Sequence, residues 1–114
     1  MAMTVKDICK KTDAKLLCGS ADREFCGVYV GDLLSRAMSH VEADNVWITI
    51  MANANVVAVA TLTEPAAVLL AEGVELADDA MQGAQKNGIT VLSSGLSAYE
   101  LCLKISELSA GSDI

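Results

Sequence analysis

A chain of 114 residues, 53% of them apolar and with a mean hydropathy of +0.41, can build one hydrophobic core but has no length for a second domain. Fifteen carboxylates against eight lysines and arginines leave a net charge of −7, a field that repels phosphate polyanions and excludes nucleic acid as a partner. No run approaches the ~20 apolar residues of a membrane-spanning helix, and the first residues lack the charged-then-apolar pattern of a secretory leader, so a cytoplasmic protein without membrane contact is expected.

Thr4 is placed to cap a first helix, with Asp7 three residues on completing a capping box. Val5, Ile8 and Cys9 form its apolar stripe, and Lys6, Lys10 and Lys11 its wet side. Residues 15–18 read as a brief strand and 19–23 as a turn cluster. Residues 25–30 read as a firmer strand in which Phe25 and Tyr29 share parity and face one way. Gly31 and Asp32 close it. Asp32 is then expected to cap a helix with Leu33, Leu34, Ala37, Met38 and Val41 at helical spacing.

The stretch 45–73 reads as strand, helix, strand. Its two flanking runs, 46–50 and 66–71, are continuously apolar, as strands of a parallel sheet buried on both faces are. The segment between them is β-branched enough to be a strand by itself. Asn53 or Asn55 can cap it as a helix, however, Pro65 stops it, and parallel neighbours require a crossover. That helix is apolar nearly all round: Val56, Val57, Val59, Ala60 and Leu62 cannot all face one sheet. A second copy of the chain is expected to cover the surplus, with these five residues as the interface.

An acidic connection, 75–79, suits the start of a helix that turns Ala80, Met81 and Ala84 inward and stops at Asn87-Gly88. Residues 89–92 form the last strand, and Ser93-Ser94-Gly95 a loop. Ser97 with Glu100 makes a capping box for a final helix burying Ala98, Leu101, Cys102, Ile105 and Leu108, with 109–114 as a frayed tail. The order αββαβαβαβα defines one α/β domain: a compact sandwich with a mostly parallel central sheet of four to five strands flanked by helices.

Ligands of open α/β sheets sit beyond the carboxyl ends of the strands. Those ends collect Gly31 and Asp32, Asn53 and Asn55, Glu72 and Gly73, and Ser93, Ser94 and Gly95, near helix first turns whose amide hydrogens favour anions. Asp32 and Glu72 oppose a phosphate there, and Asp32, Asn53 or Asn55, and Ser97 are what helix caps require with no ligand present. No catalytic set emerges. The single His40 lies on a helix remote in sequence from Ser93 and Ser94, and the Ser-Ser-Gly loop lacks the lysine and length of a phosphate-cradling loop. Cys9, Cys18, Cys26 and Cys102 form no Cys-x-x-Cys pair, and with one histidine a zinc site is not expected. No cofactor motif is present. Trp47, in a central strand, reads as core.

The opening Met3-Thr4-Val5-Lys6-Asp7-Ile8 and the block from Asp22-Arg23 through Gly27, Gly31-Asp32 and Ser35 resemble the DRTGG-domain family. So do Asp44-Asn45-Val46-Trp47-Ile48-Thr49, Asn55 to Ala60, Gly88 to Ser93, and Leu96 to Glu100. The likeness runs from Met3 to about Leu108 and is greatest to the stand-alone bacterial form. The name-giving Asp-Arg-Thr-Gly-Gly string is absent as such; its counterpart is either Asp22-Arg23 with Gly27 or Asn53-Ala54-Asn55. The resemblance implies a domain found fused to phosphotransacetylases and between CBS modules, similar to the non-catalytic N-terminal domain of HPr kinase, and associated with dimers and regulation. Two readings follow: a non-catalytic regulatory or interaction module acting as a homodimer or on another protein, or a small-ligand sensor, for a nucleotide among other ligands, at the strand ends.

Overall fold

The computed structural model describes residues 3–110. In chain order its elements are α1 (Val5–Thr12), β1 (Lys15–Cys18), β2 (Val28–Val30), α2 (Leu34–His40), β3 (Val46–Thr49), α3 (Ala54–Thr63), β4 (Ala67–Leu70), α4 (Asp78–Asn87), β5 (Val91–Ser93) and α5 (Ala98–Ala110). The strands form one sheet in the order β1-β5-β4-β3-β2, parallel throughout except for β1, which runs antiparallel beside β5.

Alternation along the strands divides the core in two. Val46, Ile48, Leu69 and Leu92 pack under α1 and α5, whereas Trp47, Val68, Leu70 and Val91 pack under α2, α3 and α4. Strands filled on both faces are near-continuously apolar, as β4 is throughout and β3 is up to Thr49, whose buried hydroxyl finds a partner in Asp32. Each parallel step, β2 to β3 to β4 to β5, is made by one helix on the same face. The strands advance one place at a time, so the sheet has no point at which the strand order reverses. The Thr4–Asp7 capping box forms, with the Asp7 carboxylate accepting from the Thr4 amide at 2.9 Å. So does the Ser97–Glu100 box. Asn53 is the cap of α3, its side-chain oxygen accepting from the amides of Asn55 and Val56.

Helix α3 corrects the interface expectation. Val56, Val57, Val59 and Ala60 are buried inside the subunit, and only Leu62 of the five is exposed. The helix is the middle one of a three-helix layer, with the sheet beneath and α2 and α4 on either side. Its apolar girdle is therefore wider than one face with no second copy involved. The close approach of α4 is visible at Gly83, where a β-carbon would lie 3.5 Å from a Val57 methyl.

Three smaller differences have local causes. The strand expected over 25–30 shrinks to Val28–Val30, because Gly27 takes a φ of +83° and breaks the extended run. Phe25 and Tyr29 consequently pack in opposite cores rather than on one face. Asp32 does not cap α2: the cap position is Leu33, which supplies no side-chain bond, and the Asp32 carboxylate turns to β3 instead. Helix α5 continues to Ala110, so the tail expected over 109–114 begins helically, and residues 111–114 lie outside the described residues.

Candidate functional site

The carboxyl edge of the sheet has two halves of different character. In the β2–β3 half, side chains close the strand ends onto one another. Asp32 Oδ1 accepts from Thr49 Oγ1 at 2.7 Å and from the Ile50 amide at 2.9 Å. The Gly31 carbonyl accepts from Trp47 Nε1 at 2.9 Å, and the Gly31 amide donates to Ile48. Asn53 is occupied by its cap, and Asn55 stands exposed in the first turn of α3. Gly31, Asp32, Asn53 and Asn55 line neither of the two hollows described below, and the polar side chains of Asp32 and Asn53 have structural tasks that account for their type.

The β4–β5–β1 half is open. Gly73, Ser93 and Ser94 come together around a hollow of about 400 Å³, together with Lys15 and Leu17 of β1, the 74–76 segment, Met81 of α4 and Gly95. Its floor is apolar: Leu17, Leu76 and Met81. Lys15 pairs in register with Ser93 and has no ion-pair partner among the described residues. The backbone N–H groups of Glu75, Leu76 and Gly95 likewise have no protein acceptor among the described residues. The loop itself is held firmly. Gly73, at a φ of +70°, donates to the Ser94 carbonyl at 2.8 Å. The buried Ser94 hydroxyl donates to the Thr12 carbonyl and accepts from the Leu96 amide, so its one proton is committed to the loop. Ser93 Oγ makes one long bond, 3.4 Å, to the Val74 carbonyl and retains accepting capacity.

A second hollow of about 390 Å³ lies across the Ser94-Gly95 strip, lined by Lys11, Thr12, Asp13, Leu96 and Lys104. Here one of the two cations is already engaged. Lys11 meets Glu107 at 2.9 Å, and its hydrogen bond and charge hold the Glu107 carboxyl below the ordinary glutamate range.

Nothing in either hollow assembles a reaction. His40 is at the β2 side of the sheet, where it shares the Arg36 carbonyl and Ser39 hydroxyl on its own helix and stacks on Tyr29. Among the described residues no group of three or more His, Cys, Asp or Glu side chains could hold a metal ion. Burial raises the thiol pKa of Cys9 and of Cys18, the opposite of what a reactive thiolate needs. No helix of the described residues is long and apolar enough to cross a membrane.

With this geometry in view, residues 7–108 match the family described as DRTGG domain. The chain belongs to the DRTGG-domain family. Among solved structures it is similar to the CBS and DRTGG domains of the regulatory region of Clostridium perfringens pyrophosphatase, a structure complexed with the activator diadenosine tetraphosphate. The TM-score is 0.76 at 17% identity, over 90% of this chain and 46% of that one. The present chain thus spans less than half of that region, and at this identity the likeness speaks for the fold. The comparison with curated proteins returns no match. In this DRTGG domain Arg23, one candidate for the arginine of the family name, pairs with Asp44 at 2.8 Å and donates to the Glu64 carbonyl. It clasps the loops that enter β3 and β4, on the edge of the sheet opposite the hollows.

The strand-end argument thus locates Gly73, Ser93 and Ser94 together but misses Lys15, Leu17, Glu75, Leu76 and Met81. Lys15 begins its strand. It reaches the carboxyl edge because β1 is antiparallel to the rest, which becomes readable only once the strand order is known.

Proposed function

We propose that this DRTGG domain is a non-catalytic, cytoplasmic regulatory module that senses a small ligand, with nucleotides as the leading class, beside the Ser93–Gly95 loop. The observation that carries the reading is the 400 Å³ hollow beyond the carboxyl ends of β4 and β5, whose volume suits a small molecule. The pyrophosphatase region of the same fold is regulatory and was captured with a dinucleotide activator, which favours the same class of role here. A ligand in the hollow would touch β1, β5 and the connection between β4 and α4 together. It would bias α4 against the sheet by whatever affinity difference it has for two settings of that helix. The test is native mass spectrometry of the purified protein for co-purifying small molecules, followed by thermal shift against a metabolite panel. A ligand present at a hundred times its Kd should add about 2.7 kcal/mol, a rise of roughly 10 °C for a domain of this size. No shift across the panel, with no co-purified mass, refutes the sensing role.

A second reading, homodimerisation, is favoured by a different surface. Val28 and Val30 on the unpaired edge strand β2 are exposed, as are Leu33 and Met38 beside and on α2. Neither β2 nor α2 carries a carboxylate. In a chain of net charge −7, such a stretch is where two copies could meet without mutual repulsion. Val30→Lys should convert the dimer to monomer in sedimentation without changing the circular dichroism spectrum. An unchanged sedimentation coefficient counts against this face.

A further inference from the structure

Resting on the ligand-sensing reading, the lining of the 400 Å³ hollow also indicates what kind of molecule it takes. We infer that it binds a nucleoside monophosphate, with the base against Leu17, Leu76 and Met81, the phosphate at Lys15 and the Gly95 amide, and the sugar hydroxyls at Glu75. Three features of the lining carry the assignment. Lys15 is the one cation in this lining and has no ion-pair partner among the described residues, and the Gly95 N–H of the same lining has no acceptor among them. A cation and a free amide at one rim form a charge-assisted donor set for a single anionic group. The floor supplies two isobutyl chains and a thioether, soft apolar surface suited to the face of a flat ring. Glu75, exposed on the same rim, is acceptor-only when ionised and matches hydroxyl donors.

The same residues limit the number of phosphates. Glu75 lines the hollow, and Asp78 and Asp79 follow in the first turn of α4, so a longer phosphate chain adds charge beside carboxylates with only Lys15 to offset it. In the neighbouring hollow Lys11 is bound to Glu107, and Asp13 lines the space together with its remaining cation, Lys104.

The experiment is calorimetric titration of the full chain with the four common 5′-nucleoside monophosphates, then with the nucleoside, the triphosphate and inorganic phosphate corresponding to the best of them. One monophosphate should bind one-to-one, with the nucleoside and the triphosphate each about tenfold or more weaker. Lys15→Gln should remove that difference between monophosphate and nucleoside, while Glu75→Gln should narrow the gap to the triphosphate. Thermal melts without ligand check that both variants fold, and chemical-shift mapping on the wild type localises binding independently of them. Equal affinity for nucleoside and monophosphate, or a ligand of another class filling the hollow, overturns this assignment and leaves the sensing role standing. Absence of any ligand from both the titrations and native mass spectrometry removes both.

Discussion

Replacing Val57 by Asp separates the two ways in which an all-round apolar helix can be buried. If α3 were covered by a second copy, the variant would yield a folded monomer. Val57 is instead 5% exposed in a single subunit and lies against α4 at Gly83, so the carboxylate would enter the domain core. Keeping it neutral at pH 7, about three units above its ordinary pKa, costs about 4 kcal/mol, and the lost methyl contacts add about 1–2 kcal/mol. A domain of this size has roughly 5–15 kcal/mol in total. Val57→Asp should therefore be largely unfolded or melt some 20 °C lower, by circular dichroism and urea titration at pH 7. The introduced acid has a raised pKa in the folded state, so the folded state binds more protons than the unfolded one. The defect should accordingly shrink as pH falls towards 4. Leu62→Asp, on a side chain 70% exposed, should change stability by no more than about 1 kcal/mol, mainly from an acid near the helix C-terminus. A Val57→Asp protein that stays folded with the wild-type urea midpoint would refute the placement of α3 between α2 and α4.

The glycines divide in the same manner. Gly83→Ala should stabilise by about 0.5–1 kcal/mol, read as a rise in Tm, because the site is interior to α4 and the new β-carbon would find only an ordinary contact at 3.5 Å. Gly19→Ala should destabilise by about 2–3 kcal/mol, since its φ is +88° and the β-carbon would run into the Thr90 backbone. Glu100 is held below its ordinary pKa by hydrogen bonds from the Ser97 backbone and hydroxyl. A depressed acid stabilises above its unfolded pKa and loses that contribution as pH falls through the folded value. Urea midpoints of wild type and Glu100→Gln should thus differ at pH 7 and converge by about pH 3.

Much of the fold was legible because its signals are local and redundant. Pro65 and Asn53 bracket α3, two short apolar runs on either side of it read as strands buried on both faces, and Thr4–Asp7 and Ser97–Glu100 mark helix starts by their spacing. Periodicity reports how wide the apolar surface of a helix is, but not whether neighbouring helices or another subunit cover it, which is where α3 was misjudged. The strand 25–30 was overextended for a related reason: apolar residues at strand spacing were counted across Gly27, and a positive φ there breaks the alternation. Within the site, a search for strand ends necessarily passes over a residue that begins an antiparallel strand. Lys15 therefore stayed hidden while Gly73, Ser93 and Ser94 did not.

The contrast between the two halves of the carboxyl edge is the reason for proposing the sensing surface at the β4–β5–β1 half. Polar groups in a finished fold find partners, and those left without one collect where water or a ligand completes them. In the β2–β3 half, Asp32, Asn53 and the Trp47 indole each close onto a backbone group of their own edge, and none of these residues lines either hollow. In the β4–β5–β1 half, the buried hydroxyl of Ser94 fixes the loop, while Lys15 and the Glu75, Leu76 and Gly95 amides have no protein partner among the described residues. A rigid loop beside unsatisfied donors and an apolar floor is pre-organised for recognition without the set of acids, bases and nucleophiles that chemistry requires. That combination fits a domain that reports on a small molecule without transforming it.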